Sequence, residues 1–258
     1  MSEGAKDWNP GAYARFRGLR LRPALDLLAQ VGDLPGGEVV DLGCGDGAAA
    51  GALAARFADR RIIGVDGSPA MLGKATGYAA KVLADIATWA PESPPALIFS
   101  NAVLQWLPDH ARLMPRLAGF LVPGGVLAVQ MPRQSLAPSH RFLRDIAAGL
   151  FPDRFDFGHY QPPAAPALEY QRMLGGLGRM LAWESEYVQK LEATPEGHPV
   201  RAFTGSTAMR PFVEKLTAAE AAQFTAAYDA ALGSAYPIEA DGSVLFPFRR
   251  CFFVLERS

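Results

Sequence analysis

The sequence has little cysteine, little net charge and no long apolar run. Its two cysteines, Cys44 and Cys251, are too few for a disulfide framework, and neither has neighbours at metal-ligand spacing. The formal net charge of −1 lacks the basic excess typical of nucleic-acid-binding proteins. No apolar run approaches the ~20 residues of a membrane span, and no secretory signal pattern is visible. We therefore expect a cytoplasmic protein with no metal, nucleic acid or membrane partner.

Lysine is also scarce, whereas arginine is abundant. The chain of 258 residues has 5 lysines and 20 arginines, and half of its residues are hydrophobic. Codon usage in a GC-rich genome explains such a bias, but the planar guanidinium fork also suits the binding of carboxylates and phosphates. The hydrophobic content is sufficient for a large buried core. Composition therefore leaves both explanations of the arginines open.

Short apolar strands alternate with helices through the first half of the chain. We predict helices at 10–30, 48–57 and 69–78, and strands at 38–42, 61–65, 81–84, 96–100 and 126–130. Continuous apolar strands alternating with helices are typical of a parallel sheet that is covered on both faces.

The second half departs from this alternation. We predict helices at 140–150, 168–180 and 209–232, strands at 182–191 and 243–256, and a capping box from Thr217 to Glu220. No repeat or linker separates the halves. We therefore expect one domain over 1–258, with an N-terminal helical cap segment at 1–32 and inserted cap elements at 138–180 and 192–240.

A glycine-rich loop follows the first predicted strand, in the sequence VVDLGCGDG at 39–47. Gly43, Gly45 and Ala48 satisfy a loose dinucleotide fingerprint, G-x-G-x-x-A, which would hold a pyrophosphate at a helix N-terminus. Asp41 and Asp46 place negative charge near such an anion, which is unfavourable. The same charges suit a cationic cofactor that carries a sulfonium and an ammonium group.

The loop and the segments after it resemble class I S-adenosylmethionine (SAM) methyltransferases. Asp41, Gly43, Gly45 and Gly47 complete the motif E/D-x-G-x-G-x-G, and Asp66 follows the second strand, where an acid accepts ribose hydroxyls. NAD enzymes share that acid, so Asp66 alone does not discriminate. The resemblance implies SAM as the cofactor, bound by Asp41, Gly43, Cys44, Gly45, Asp66, Gly67, Ser68, Met71, Asp85, Ile86, Asn101, Gln105 and Trp106.

A narrower resemblance rests on the segments DWNPGAY, SPAM, ADIATW, NAVLQWLPDH and GGVLAVQMP. Together with the glycine loop they are similar to the trans-aconitate 2-methyltransferase family of bacteria, with the weakest likeness between about 151 and 205. The resemblance implies a Rossmann-like α/β fold, with a mostly parallel seven-stranded sheet, helices on both faces and a helical substrate cap. It also implies transfer of a methyl group to a carboxylate of trans-aconitate, which gives a monomethyl ester.

Methyl transfer to a carboxylate requires groups that position the acceptor and no general base, because a carboxylate with a pKa near ~4 is already ionised at neutral pH. The histidines His110 and His140 are therefore expected in a loop or cap and not as bases. Arginine side chains suit the binding of a polycarboxylate acceptor. Arg20 and Arg144 are candidates, in addition to the arginines among the predicted ligands. The predicted acceptor ligands are Trp8, Tyr13, Arg22, Arg133, Arg210 and Arg249.

Three other functions remain open at this point. A SAM-dependent enzyme for another small anionic acceptor has the same motifs, because the segment expected to carry specificity is the least well matched. An NAD-linked oxidoreductase uses the G-x-G-x-x-A pattern, and a SAM-binding regulator needs no turnover. We expect a monomer or a homodimer.

Overall fold

The structure, a computed structural model, describes residues 17–195, 197–205 and 207–258. The chain divides into two units. The described part of the first unit covers residues 17–132, Ala164–Ser185 and Arg250–Ser258, and the second unit covers Arg133–Pro163 and Glu186–Arg249. Two of the four boundaries, at Ser185–Glu186 and Arg249–Arg250, fall within long strands.

Seven strands form one sheet in the order β3-β2-β1-β4-β5-β7-β6. The strands are β1 (Val39–Leu42), β2 (Ile62–Asp66), β3 (Ala80–Leu83), β4 (Leu97–Asn101), β5 (Val126–Pro132), β6 (Gly178–Leu191) and β7 (Val244–Arg257). The first five pair in parallel, whereas β7 pairs with β5 in the antiparallel sense. This arrangement confirms the predicted Rossmann-like fold with a mostly parallel sheet.

Helices cover both faces of the sheet in the first unit. These helices are α1 (Arg17–Leu28), α2 (Ala50–Arg56), α3 (Pro69–Lys74), α4 (His110–Gly119) and α6 (Ala167–Leu174). Odd-numbered residues of β5, such as Leu127 and Val129, share a core cluster with α4 and α6. Helix α1 also packs against β5. Its buried residues Ala24 and Leu27 are not members of that cluster, so α1 lies on the opposite face of the sheet.

The second unit is mainly helical. Its helices are α5 (Pro138–Leu150), α7 (Pro199–Gly205), α8 (Arg210–Val213) and α9 (Ala218–Ala235). Helices α5, α7 and α9 pack together, and the Tyr228 hydroxyl donates a hydrogen bond of 2.6 Å to the carbonyl of Ser139. Thr217 and Glu220 form the predicted capping box at the start of α9.

Several helices differ from the prediction: the helix predicted at 69–78 ends at Lys74, and α7 was not predicted. The helix predicted at 209–232 is two helices, because Thr217 caps the second one and stops continuation from the first. The helix predicted at 168–180 ends at Leu174, where Gly175 and Gly176 begin a single 3-10 turn before β6. Helix α4 was not predicted, although Leu113 and Leu117 have helical spacing and are buried.

The predicted cap boundaries, 1–32, 138–180 and 192–240, stay a prediction, as does the single domain over 1–258. No helix among the described residues is long and apolar enough to cross a membrane.

Candidate functional site

Several parallel strands end at one edge of the sheet, and the predicted cofactor residues follow those ends. Strands β1, β2 and β4 end at Leu42, Asp66 and Asn101, and their parallel pairing places these ends on the same side. In open α/β sheets ligands bind beyond the carboxyl ends of the strands. The cluster lies entirely within the first unit.

Asp66 joins the loops that follow β1 and β2. Its Oδ2 accepts a hydrogen bond of 2.8 Å from the backbone N–H of Gly45, and its Oδ1 accepts one of 2.8 Å from that of Ser68. Each carboxylate oxygen can accept more than one hydrogen bond. Asp66 is therefore anchored by the backbone and still able to accept two hydroxyl donors from a ligand.

Glycine is needed at different positions of the loop for different physical reasons. Gly43 has a φ of +80°, and a Cβ there would lie 2.3 Å from the side chain of Val103. A Cβ on Gly45 would meet only the methyl group of Met71, at 3.2 Å. Both glycines adopt a left-handed backbone, since Gly45 has a φ of +55°, but only Gly43 is also required by packing. Gly45 leaves space beside the buried Met71, one of the predicted cofactor residues.

Asp41 lies beneath the loop, next to a residue that the sequence did not suggest. The carboxylate of Asp41 is 2% exposed, and its Oδ2 accepts a hydrogen bond of 2.6 Å from the Tyr78 hydroxyl. Burial raises the pKa of Asp41 to about 7, the Tyr78 hydrogen bond opposes that rise, and the nearby Asp66 adds to it. Tyr78 therefore favours the charged form of Asp41. No motif marks this tyrosine, so only the fold reveals it.

Cys44 does not have the environment of a nucleophile. Its side chain is buried, and burial raises the pKa of its thiol, with the charges of Asp41 and Asp66 adding to the rise. The thiolate is the reactive form of cysteine, so a thiol held protonated is inert. A Cβ on Gly64 would lie 3.0 Å from the Cys44 sulfur, so this side chain packs under the loop.

The end of β3 lies beside Asp66. The N–H of Ala84 donates a hydrogen bond of 3.1 Å to the carbonyl of Asp66. Asp85 is exposed and its Oδ1 accepts a hydrogen bond of 2.9 Å from the N–H of Ala87, whereas the Ile86 side chain belongs to the core. A ligand could therefore meet the Asp85 carboxylate but only the backbone of Ile86. A Cβ on Gly67 would lie 3.5 Å from the carbonyl oxygen of Ala84.

Two amide oxygens after β4 are buried without a hydrogen-bond partner. Neither Oδ1 of Asn101 nor Oε1 of Gln105 has a partner among residues 17–195, 197–205 and 207–258. A buried polar atom without a partner carries a cost in free energy, which a ligand donor would remove. Trp106, in the same 3-10 helix as Gln105, is 51% exposed and does not belong to the core.

Most of the arginines predicted to bind the acceptor already face carboxylates. The ion pairs are Arg22 with Asp26 at 2.7 Å, Arg210 with Glu214 at 2.8 Å and Arg249 with Glu186 at 3.4 Å. Arg133 and Arg249 are neighbours, because the N–H of Arg133 donates a hydrogen bond of 2.9 Å to the carbonyl of Arg249. Arg22 belongs to the first unit and the other three belong to the second. Trp8 and Tyr13 lie outside the described residues.

A buried arginine next to one of these candidates was missed. Arg250 is 2% exposed, and its NH1 donates a hydrogen bond of 3.3 Å to Oε1 of Gln130. Strand periodicity could have found it, because Phe246, Phe248 and Arg250 share one parity in β7 and all are buried, whereas Arg249 is exposed.

The two candidate histidines make local contacts. The Nδ1 of His110 lies 2.7 Å from the Tyr170 hydroxyl, and its Nε2 lies 2.9 Å from the carbonyl of Leu104. His140 lies in the first turn of α5, where burial and the charge of Arg144 lower its pKa to about 4. Both ring nitrogens of His110 are therefore occupied within the protein.

Among the described parts of the chain, no group of three or more His, Cys, Asp or Glu residues could hold a metal ion.

The raised pKa of Asp41 leads to a pH-dependence of cofactor binding. If a cationic ligand binds near Asp41, the ionised carboxylate binds it best, so binding should weaken as the pH falls through about 7. We expect the dissociation constant of SAM to rise about fivefold from about pH 7 to about pH 6, because the ionised fraction of Asp41 falls from about one half to about one tenth. Calorimetric titration across this range measures it, and Asp41→Asn should bind more weakly at high pH with a flat profile.

The same group has a stability consequence of opposite sign. The folded-state pKa of Asp41 lies above its unfolded value of 3.8, so its favourable contribution is full below that value and is lost as the pH rises through about 7. Urea unfolding of the ligand-free protein should therefore show Asp41→Asn gaining stability relative to the parent as the pH rises. A parallel pH-dependence of the two proteins, in both titrations, would contradict the assignment.

Known proteins share both the sequence and the fold. Residues 13–174 match a family model described as a methyltransferase domain. The chain is 41% identical to a protein of Methylobacterium radiotolerans called trans-aconitate 2-methyltransferase, over 98% of this chain and 99% of that protein. A protein of the same name from Methylobacterium nodulans is 42% identical, again over 98% and 99%.

A solved structure supports the fold at a greater evolutionary distance. Phosphoethanolamine N-methyltransferase 2 of Haemonchus contortus, in complex with S-adenosyl-L-methionine, matches with a TM-score of 0.53 at 16% identity. The match covers 92% of this chain and 53% of that chain. At this identity the likeness concerns the fold alone.

Proposed function

We propose that this chain, which belongs to the trans-aconitate 2-methyltransferase family and contains that family's methyltransferase domain, transfers a methyl group from SAM to one carboxylate of trans-aconitate. The product is a monomethyl ester. The observation that carries the proposal is the identity of about two residues in five over nearly the full length of relatives with this name. The dinucleotide interpretation of Gly43, Gly45 and Ala48 does not agree with that membership.

The residues at the strand ends fit the cofactor. The Asp66 carboxylate is held by two backbone amides and can accept the two ribose hydroxyls. The buried oxygens of Asn101 and Gln105 are acceptors that lack donors among the described residues, which suits the ammonium group of the methionine portion. Asp41 adds negative charge, while Met71 borders the space beside Gly45. When bound, SAM supplies a methyl group that its sulfonium already activates towards displacement.

The remaining task of the protein is to aim the acceptor and to exclude water. A carboxylate is already ionised at neutral pH, so no side chain has to remove a proton. Holding the reacting groups in line accounts for much of the rate in such a reaction. The local contacts of His110 and His140 agree with a site that needs no general base.

The finer assignments belong to the same proposal. Asp85, the Ile86 backbone, Gly67, Ser68 and Cys44 complete the cofactor site. The acceptor ligands predicted from the sequence, which are Trp8, Tyr13, Arg22, Arg133, Arg210 and Arg249, stay a prediction. A cytoplasmic location and a monomeric or homodimeric state stay predictions.

A methyl-transfer assay with labelled SAM tests the proposal. Initial rates would be measured over a panel of di- and tricarboxylates, and heats of binding would be measured with SAM, its demethylated product and NAD. We expect SAM and its product to bind, NAD to give no heat, and trans-aconitate to have the highest kcat/KM of the panel. Binding of NAD without SAM, or a faster reaction with a non-carboxylate acceptor, would refute the proposal.

A further inference from the structure

Three polar residues on strands β4, β5 and β7 form a row on one face of the sheet, which we call the buried polar row (Asn101, Gln130 and Arg250). Asn101 and Gln130 are paired Cα partners of β4 and β5. Arg250 is paired with Pro132, two residues further along β5. The hydrogen bond from Arg250 NH1 to Gln130 Oε1 joins the last two members. The row lies at the carboxyl end of the parallel strands.

The row occupies the same face as Asp41. In β5 the odd-numbered residues enter the core cluster with α4 and α6, so Gln130 points to the opposite face. In β1, Val40 and Leu42 belong to that cluster, so Asp41 also points away from it. The face of the sheet that carries Asp41, a predicted cofactor residue, therefore also carries the buried guanidinium of Arg250 and the amide of Gln130.

The row contains both a buried positive charge and an unused donor. Gln130 is fully buried, and its Nε2 has no hydrogen-bond partner in the part of the chain that the structure describes. Because Oε1 accepts from Arg250, the amide is oriented with its N–H groups available. Low local dielectric strengthens the attraction between a buried guanidinium and an anion. Two adjacent donor groups of this kind match the two oxygens of a carboxylate.

We propose that Arg250 and Gln130 bind a carboxylate group of the acceptor, with Asn101 marking the boundary towards the cofactor. This inference rests on the proposed function, because it concerns the acceptor of that reaction. It assigns the binding of the acceptor carboxylate to Arg250, a fully buried arginine of the first unit. The arginines Arg22, Arg210 and Arg249, which were predicted from the sequence, pair with Asp26, Glu214 and Glu186.

Gln130→Glu is the sharpest test, because it places a carboxylate of the same size beside Arg250. This side chain would pair with Arg250 and take the place of the acceptor carboxylate. We expect unchanged or increased thermal stability, unchanged SAM affinity and at least a tenfold loss of trans-aconitate affinity. Calorimetry with trans-aconitate, in the presence of demethylated SAM, measures that affinity whether or not methyl transfer occurs.

Further variants separate this role from a structural one. Gln223→Glu makes the same exchange on an exposed face of α9 and should leave all three quantities unchanged. Arg250→Lys keeps the charge but loses the planar fork, so trans-aconitate affinity should fall less than in Gln130→Glu while SAM affinity stays the same.

Two results would overturn the proposal. One is wild-type affinity of Gln130→Glu for trans-aconitate, and the other is an equal loss of SAM affinity. Binding of trans-aconitate that depends on Gln130, without any turnover, would support this inference while refuting the proposed reaction. Turnover of trans-aconitate that is equally fast in Gln130→Glu and in the parent protein would support the proposed reaction and refute this inference.

Discussion

Asp66→Ala is expected to weaken SAM binding by about 100-fold or more, because hydrogen bonds to a charged group contribute about 1.5–3 kcal/mol each. The variant loses the acceptor for the ribose hydroxyls. It also releases the backbone amides of Gly45 and Ser68, which the carboxylate now holds at 2.8 Å. Both losses act on the cofactor and not on the acceptor. Calorimetric titration with SAM measures the effect directly.

The matched control is Asp59→Ala. Asp59 precedes β2 in the same part of the chain, and its side chain is 88% exposed. This variant should bind SAM as tightly as the parent protein. Thermal unfolding of both variants separates loss of binding from loss of the fold. Unchanged SAM affinity in a folded Asp66→Ala protein would mean that Asp66 does not contact the cofactor.

Gly43→Ala is expected to destabilise the fold by about 2–5 kcal/mol. A left-handed conformation costs an L-residue about 1–2 kcal/mol, and Gly43 has a φ of +80°. The new methyl group would also lie 2.3–2.7 Å from three side-chain atoms of Val103. Such crowding costs about 1–3 kcal/mol in a packed interior. Urea unfolding followed by circular dichroism gives the change in free energy.

A second substitution separates the two costs. Val103→Ala in the Gly43→Ala background removes the two nearest contacts, at 2.3 and 2.5 Å, but it leaves the contact with the Val103 Cβ at 2.7 Å and the backbone strain, so stability should return only in part. Gly51→Ala is the control, because nothing lies within 4 Å of a Cβ at that position in α2. It should be neutral or stabilise the helix by up to about 1 kcal/mol. Equal stability of Gly43→Ala and the parent protein would show that the loop can rearrange.

Much of the fold was predictable because it depends on local pattern. Apolar strands at 38–42 and 96–100 alternate with helices, and this pattern requires only hydrophobicity and period. The position of Asp66 at the end of the second strand was also predictable, because it follows from chain order. Helix α4 was missed although its buried leucines have the helical period. The split near Thr217 was missed because a capping residue within a long helical pattern competes with continuation of the helix.

Residues that depend on tertiary pairing were not predictable in the same way. Tyr78 is 37 positions from Asp41 along the chain, and only the fold places its hydroxyl on that carboxylate. Gln130 and Arg250 are separated by 120 positions and meet through the antiparallel pairing of β5 and β7. Sequence could suggest that some arginines bind the acceptor. It could not show that Arg249 faces Glu186 while its neighbour Arg250 is buried.

The site separates charges in a way that suits two oppositely charged ligands. Acceptor groups of Asp41, Asp66 and Asn101 lie near the ends of β1, β2 and β4, where a cationic cofactor would bind. Donor groups of Gln130 and Arg250 lie on β5 and β7. The substitutions at Asp66 and Gln130 should therefore affect the cofactor and the acceptor separately.

The most direct test of carboxyl methylation is an NMR spectrum of the product formed from trans-aconitate and SAM with an isotopically labelled methyl group. The account predicts one labelled methyl ester per product molecule, with the methyl signal correlated to a single carboxyl carbon. A spectrum without a labelled ester, or with the methyl group on carbon, would contradict methyl transfer to a carboxylate.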